Sequence, residues 1–187
     1  MEQENIKETK TVFKVIFAWQ DEKEEKWLEE MAASGWHLLS VAPFIYTFQR
    51  GTPQVVTYRL DYKVTTNKDY PEYVSIFRDS GWELVASMAN WHYYRIKPEN
   101  SNTPEIYNSS RAKAQKYRRL LAVLLPFLPI YLVILNPGRL ANHEESGKYS
   151  LFFDVTQLIL FIFVIFLCYA VIRIGFKIRK LESHPGE

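Results

Sequence analysis

At 187 residues the chain has room for one ordinary domain and an appendage, and 23 Lys or Arg against 21 Asp or Glu give it a formal net charge of +2. The charge divides unevenly: residues 1–96 hold 11 basic and 14 acidic side chains, residues 97–187 hold 12 and 7. The first part has no basic stripe, which argues against a nucleic-acid footprint, and a lone cysteine, Cys168, leaves no disulfide framework and no paired thiolate ligands.

In chain order, Met1–Lys10 is polar, without the apolar run of a signal peptide, so the first half is expected in the cytoplasm. Val12–Trp19 alternates as a strand, with Phe13, Val15, Phe17 and Trp19 against Lys14 and Ala18. Asp21 is placed to cap a helix whose first turns carry Glu22, Glu24 and Glu25, favoured there by the helix dipole, and whose apolar stripe is Trp27, Leu28 and Met31. Ser34-Gly35 closes it. A second strand is expected over 37–50, interrupted near Pro43, and a third over 55–63. A second helix starts near Asp69 with the stripe Tyr70, Tyr73, Val74 and Phe77, Ser80-Gly81 closes it, and a last strand covers 82–96.

Ser34-Gly35-Trp36 thus returns as Ser80-Gly81-Trp82, an offset of 46 residues. At the same offset Trp27 matches Tyr73, Met31 Phe77, Leu38 Leu84, Tyr46 His92, and Phe48 Tyr94. A fixed internal period indicates a duplicated structural unit. The order βαββαβ predicts an α+β, ferredoxin-like sandwich over 1–97: a four-stranded antiparallel sheet with both helices on one face. Gly35 and Gly81 then allow the helix-to-strand reversals, and Trp36 and Trp82 cover the helix ends.

With Phe13, Tyr46, Tyr58 and Tyr94 turned to the helices, the opposite face would show Ile16, Thr47 and a candidate ligand or partner surface of Lys14, Arg59, Asp61, Trp91, Tyr93 and Arg95. The plainer alternative is a solvated face, or one packed on another copy, with Arg59 and Asp61 as an exposed ion pair of little weight. Catalytic signatures are missing: there is no HExxH, no GxSxG, no phosphate loop and no Cys/His couple. His37 and His92 occupy comparable places in the two halves, His92 reading as a core or rim histidine, while His143 and His184 fall in a loop and a tail. No catalytic residue, no metal and no cofactor is expected.

Residues 98–116 read as a polar and basic linker. Two apolar runs follow, giving expected spans at 117–136 and 151–174 around a loop at 137–150, and 175–187 forms a basic tail. The first span carries Pro126 and Pro129 and should kink. Arg111, Lys113, Lys116, Arg118 and Arg119 precede the first apolar run, which starts at Leu120, and Arg173, Lys177, Arg179 and Lys180 follow the second, which ends at Ile172. Positive flanks stay inside, so the expected topology is a multi-pass hairpin in the cell membrane with both termini cytoplasmic. Asp154 lies in the first turn of the second span, where dipole and interface favour a carboxylate, and Gln157 shares its face.

The segments FKVIFAWQD, WLEEMAASGWHL, FIYTFQRG, YRLDY, YVSIFRDSGWELV and WHYYRI, over residues 11–97, together resemble the bacterial domain-of-unknown-function 2812 family. The resemblance implies a membrane hairpin after the domain, neighbouring genes for PadR-like transcriptional repressors in Gram-positive bacteria, and a membrane-tethered regulatory or stress-response accessory. It supplies no catalytic residues. The expected function is therefore non-enzymatic: a membrane-anchored regulatory or scaffold protein, bound to the lipid bilayer, whose cytoplasmic domain holds a protein partner or a second copy. That partner would be a PadR-like regulator or a membrane-stress component. The alternative is a small-molecule sensor using the open sheet face or the membrane hairpin, with Trp91, Tyr93 and Asp61 receiving a cation.

Overall fold

The computed structural model describes residues 8–97, 106–107, 110–129 and 150–183. It divides into a first unit ending at Asn108 and a second beginning at Ser109. The first unit is a duplication of β-α-β-β rather than of β-α-β. Its elements are β1 (Thr9–Phe13), α1 (Asp21–Ala33), β2 (Trp36–Ala42) and β3 (Ile45–Arg50), then β4 (Thr57–Tyr62), α2 (Tyr70–Asp79), β5 (Glu83–Met88) and β6 (Trp91–Ile96).

The extra strands arise from two tight turns. Phe44 at φ 62° and Ala89 at φ 52° reverse the chain, so Ala42 faces Ile45 and Met88 faces Trp91 across two-residue loops. Each long strand expected from the sequence is thereby folded into a hairpin. In place of one four-stranded sheet, the strands make two antiparallel three-stranded sheets, in the orders β1-β3-β2 and β4-β6-β5. The fold is α+β. β2 and β5 touch and bring the two sheets together. The duplication reaches the irregularities too: the β2–β3 ladder shifts register between Leu38 and Ser40, the β5–β6 ladder between Leu84 and Ala86, again 46 residues apart.

β1 also differs in position from the expected Val12–Trp19. Its last pair is Phe13 with Ile45, because β3 begins there, and residues beyond find no partner strand. A 3₁₀ turn at Ala18–Gln20 then leads into α1, so Asp21 is the first helical residue rather than its cap.

Two cores result. Leu28 and Ala32 of α1 pack with Leu38, Tyr46, Phe48, Tyr58, Leu60 and Tyr93, drawing on both halves. Tyr73 of α2 packs with Trp82 and Tyr94 in the second, against which Ile106 also rests. Successive residues of a strand point to opposite faces, so burial of both Tyr93 and Tyr94 means that the β4-β6-β5 sheet is covered on both sides. The repeated ring contacts follow the 46-residue offset: Trp27 meets Tyr46 and Phe48 edge-on at 4.9 and 5.6 Å, and Tyr73 meets His92 and Tyr94 at 5.0 and 6.3 Å.

α1 also shields the outer edge of β4. The amides of Tyr58 and Leu60 donate to Glu29 Oε1 and Glu25 Oε1 at 3.0 and 2.8 Å, satisfying groups that an edge strand leaves open.

In the second unit, α3 (Ser110–Leu124) packs on α4 (Ser150–Ser183). Ala114, Tyr117 and Leu120 are buried at helical spacing, as are Leu167, Ala170, Ile174 and Ile178, and Lys177 lies 4.8 Å from the Tyr117 ring. Arg111, Lys113 and Lys116, within the expected linker, thus lie in α3. α4 likewise continues through most of the expected tail, since Lys and Arg are good helix formers and suit a helix C-terminus. Among the described residues one helix, over Val155–Ser183, is long and apolar enough to cross a membrane. The expected first span is described only to 129, with a turn at Leu125-Pro126. The rest of it lies outside the described residues, as do the expected loop up to residue 149, residues 98–105 of the linker, His143 and His184.

Candidate functional site

The surface expected from the sequence does not form as one face. Phe13, expected in the core, is 71% exposed, while Asp61 and Tyr93, expected outside, are 3% and 2% exposed. Arg59 does not pair with Asp61. Its guanidinium turns along the β4 edge to Glu29 and Glu25, at 3.5 and 3.9 Å. Asp61 instead accepts hydrogen bonds from Tyr73, at 2.8 Å to Oδ2, and from Tyr107 to Oδ1. Arg95 pairs with Glu83, and Lys14 sits 4.0 Å from the Trp27 ring. The physical cause is the second sheet's double cover, which buries the residues on both of its faces.

His92 is a core histidine. Its Nε2 donates to the Lys63 carbonyl at 3.3 Å, which leaves Nδ1 to accept from Ser87 at 3.1 Å, and burial lowers its pKa so that the ring is neutral. Trp82 is buried, whereas Trp36 is half-buried beneath Arg50 and Lys10, at 4.9 and 5.4 Å from its ring. Gly35 and Gly81 take the left-handed conformation expected of them, at φ 81° and 85°.

Two of the expected residues, Trp91 and Tyr93, do come together, in a cavity of about 140 Å³ where the two halves meet. Ile16 and Ala18 line it from the segment between β1 and α1, Asp21 and Glu24 from the first turn of α1, Pro43, Phe44 and Tyr46 from the first hairpin, and Met88, Trp91 and Tyr93 from the second. Its polar centre is Glu24, 6% exposed, with Asp21 beside it at 1%. Tyr46 and Tyr93, one from each half, both donate to Glu24 Oε1 at 2.8 Å. Neither tyrosine ionises in the ordinary range, because burial and the carboxylate push both hydroxyls far up. Among the described residues no group of three His, Cys, Asp or Glu is arranged to hold a metal ion.

Burial raises the Glu24 pKa above the usual carboxylate value, the Tyr93 and Tyr46 hydroxyls oppose that rise, and Asp21 adds to it. The folded protein therefore holds this proton more tightly than the unfolded chain does. The stabilisation is full below the ordinary carboxylate pKa and is lost as pH rises through the folded value. Glu24→Gln keeps an acceptor for both tyrosines and has no charge to bury. The variant should melt above wild type at pH 8, with the gap closing at pH 4, as followed by circular dichroism of the full chain in detergent.

Sequence reasoning read Asp21, Glu24 and Glu25 only as acids suited to a helix start. Their spacing held a further signal: Asp21, Glu24, Glu25, Leu28 and Ala32 fall on one helical face, and all five are buried. Carboxylates that continue an apolar stripe require buried donors.

A family model described as "Protein of unknown function (DUF2812)" matches residues 20–128. No curated protein and no solved structure matches the chain.

Proposed function

The chain belongs to the DUF2812 family, proteins of unknown function, and from that premise we propose that it is a membrane-anchored, non-enzymatic sensor whose soluble unit binds a small molecule and relays occupancy to a protein partner. The observation that carries this reading is the cavity between the hairpins, lined from both halves around a buried carboxylate. A cavity shared by two halves is a natural point for a ligand to shift their packing, since occupancy stabilises whichever arrangement it fits better. At about 140 Å³ it is smaller than the roughly 300–1,000 Å³ of sites for drug-sized ligands, so its occupant is small.

Filling the cavity tests the reading. Small molecules from a chemically varied panel should raise the melting temperature of the full chain in detergent, and Ala18→Leu, which fills the space, should abolish the response. A response unchanged in Ala18→Leu, or none from any compound, would overturn it.

For the anchor we propose a two-span hairpin in the cell membrane, formed by residues 117–136 and 151–174, with both termini cytoplasmic. The basic residues flanking both segments support this orientation. Direct partner binding is the second reading, and the exposed apolar side chains of Phe13, Val15, Leu39 and Ile45 favour it. The family resemblance points to a PadR-like regulator as that partner. Photocrosslinking from position 13 in cells should yield a reproducible adduct with a second polypeptide that position 68 does not give. Equal labelling from both would remove this reading.

A further inference from the structure

Resting on the sensor reading, we propose that the cavity recognises a small organic ammonium ion, held by Glu24 and the ring of Trp91. Both tyrosine hydroxyls go to Glu24 Oε1, and Oε2 receives no hydrogen bond among the described residues. The carboxylate is thus pinned on one oxygen and open on the other, in a side chain more than nine-tenths buried that lines the cavity. No Lys or Arg among the described residues forms an ion pair with Glu24, and no basic side chain lines the cavity.

A buried carboxylate without a counter-ion is costly, and a cation supplied from outside answers that cost. The rest of the lining suits a carbon-bearing cation. Trp91, Tyr93, Tyr46 and Phe44 offer aromatic surface, whose negative ring faces attract ammonium groups, and Ile16 and Met88 offer apolar surface for alkyl carbons. An inorganic cation would leave those apolar walls unmatched, and an anion would face the carboxylates. The tyrosine pair adds specificity: by fixing Oε1 it sets the direction in which Oε2 presents its lone pairs.

The test is a fluorescence titration of the full chain in detergent at constant ionic strength, using ethylammonium, tetramethylammonium and, as a neutral control of similar size, tert-butanol. All five tryptophans lie in the first 97 residues, so the signal reports on the soluble unit alone. Saturable quenching by either ammonium ion is expected, weakened at least tenfold in Glu24→Gln and in Trp91→Leu but less than twofold in Glu72→Gln, which alters an exposed acid on α2. Each variant is first shown to keep a cooperative melt, and the two variants guard against misfolding of either one. Saturable binding of tert-butanol, equal in wild type and Glu24→Gln and with no ammonium effect, would overturn the ammonium assignment and leave the sensor reading standing. Failure of all three probes would overturn the assignment, while the wider panel and Ala18→Leu would still decide the sensor reading.

Discussion

Truncating Trp82 to Ala is expected to cost about 3 to 5 kcal/mol, as for other fully buried tryptophans, whereas Trp36→Ala should cost only about 1 to 2. The two residues stand at equivalent points of the repeat but not in equivalent surroundings. Trp82 is 3% exposed and fills the second core between Tyr73 and Tyr94. Trp36 is half-buried and gains part of its stabilisation from the cations of Arg50 and Lys10 above its ring, each contact contributing about 0.5 to 1 kcal/mol at an exposed site. Chemical denaturation of both variants, with the tryptophan signal replaced by circular dichroism, reads the difference directly. Equal losses would mean that the halves use their tryptophans alike, contrary to the packing.

Replacing Gly35 by Val should destabilise by about 3 kcal/mol, and Gly81→Val by about 1 to 2. Both glycines are left-handed, at φ 81° and 85°, a conformation costing an L-residue roughly 1 to 2 kcal/mol. Space separates them. A Cβ on Gly35 would come within 2.8 Å of the Gly51 carbonyl oxygen, and the Gly51 amide is itself bonded to the Gly35 carbonyl at 2.9 Å, so backbone faces backbone and neither can yield. A crowded site of this kind adds about 1 to 3 kcal/mol. A Cβ on Gly81 would meet only Ile96 Cδ1 at 3.3 Å, the movable end of a side chain. Thermal melts of the two variants should therefore rank Gly35→Val well below Gly81→Val.

The duplication itself was legible in the sequence because local rules wrote it twice: the Ser-Gly closures, the helix stripes and the aromatic strands recur at one spacing. What escaped was the number of strands. The reversals at Pro43-Phe44 and Ala89-Asn90 have none of the Asn-Gly or Asp-Gly signals that mark tight hairpins, because Phe44 and Ala89 accept positive φ where glycine is usual. Once each long strand folds back, the strands divide into two sheets instead of one. Asp61 and Tyr93 lie inside because the β4-β6-β5 sheet is covered on both of its faces.

The cavity was half visible. The sequence marks Trp91 and Tyr93 by their aromatic character, but the acid it offers them is Asp61, on another strand of the same expected sheet face. Glu24 supplies it from a helix 67 residues earlier than Trp91. Such a long-range match depends on how the two halves dock, which no local pattern records. The acids at 21, 24 and 25 in line with Leu28 and Ala32 were the available hint.

Amide hydrogen exchange of the full chain, with and without ethylammonium, tests the central claim most directly. A ligand seated between the hairpins should slow exchange in three separate segments, Ala18–Glu24, Phe44–Tyr46 and Met88–Tyr93, so that protection appears in both halves at once while α2 stays unchanged. Protection confined to one half, or spread evenly over the unit, would contradict a ligand cavity shared by the two halves.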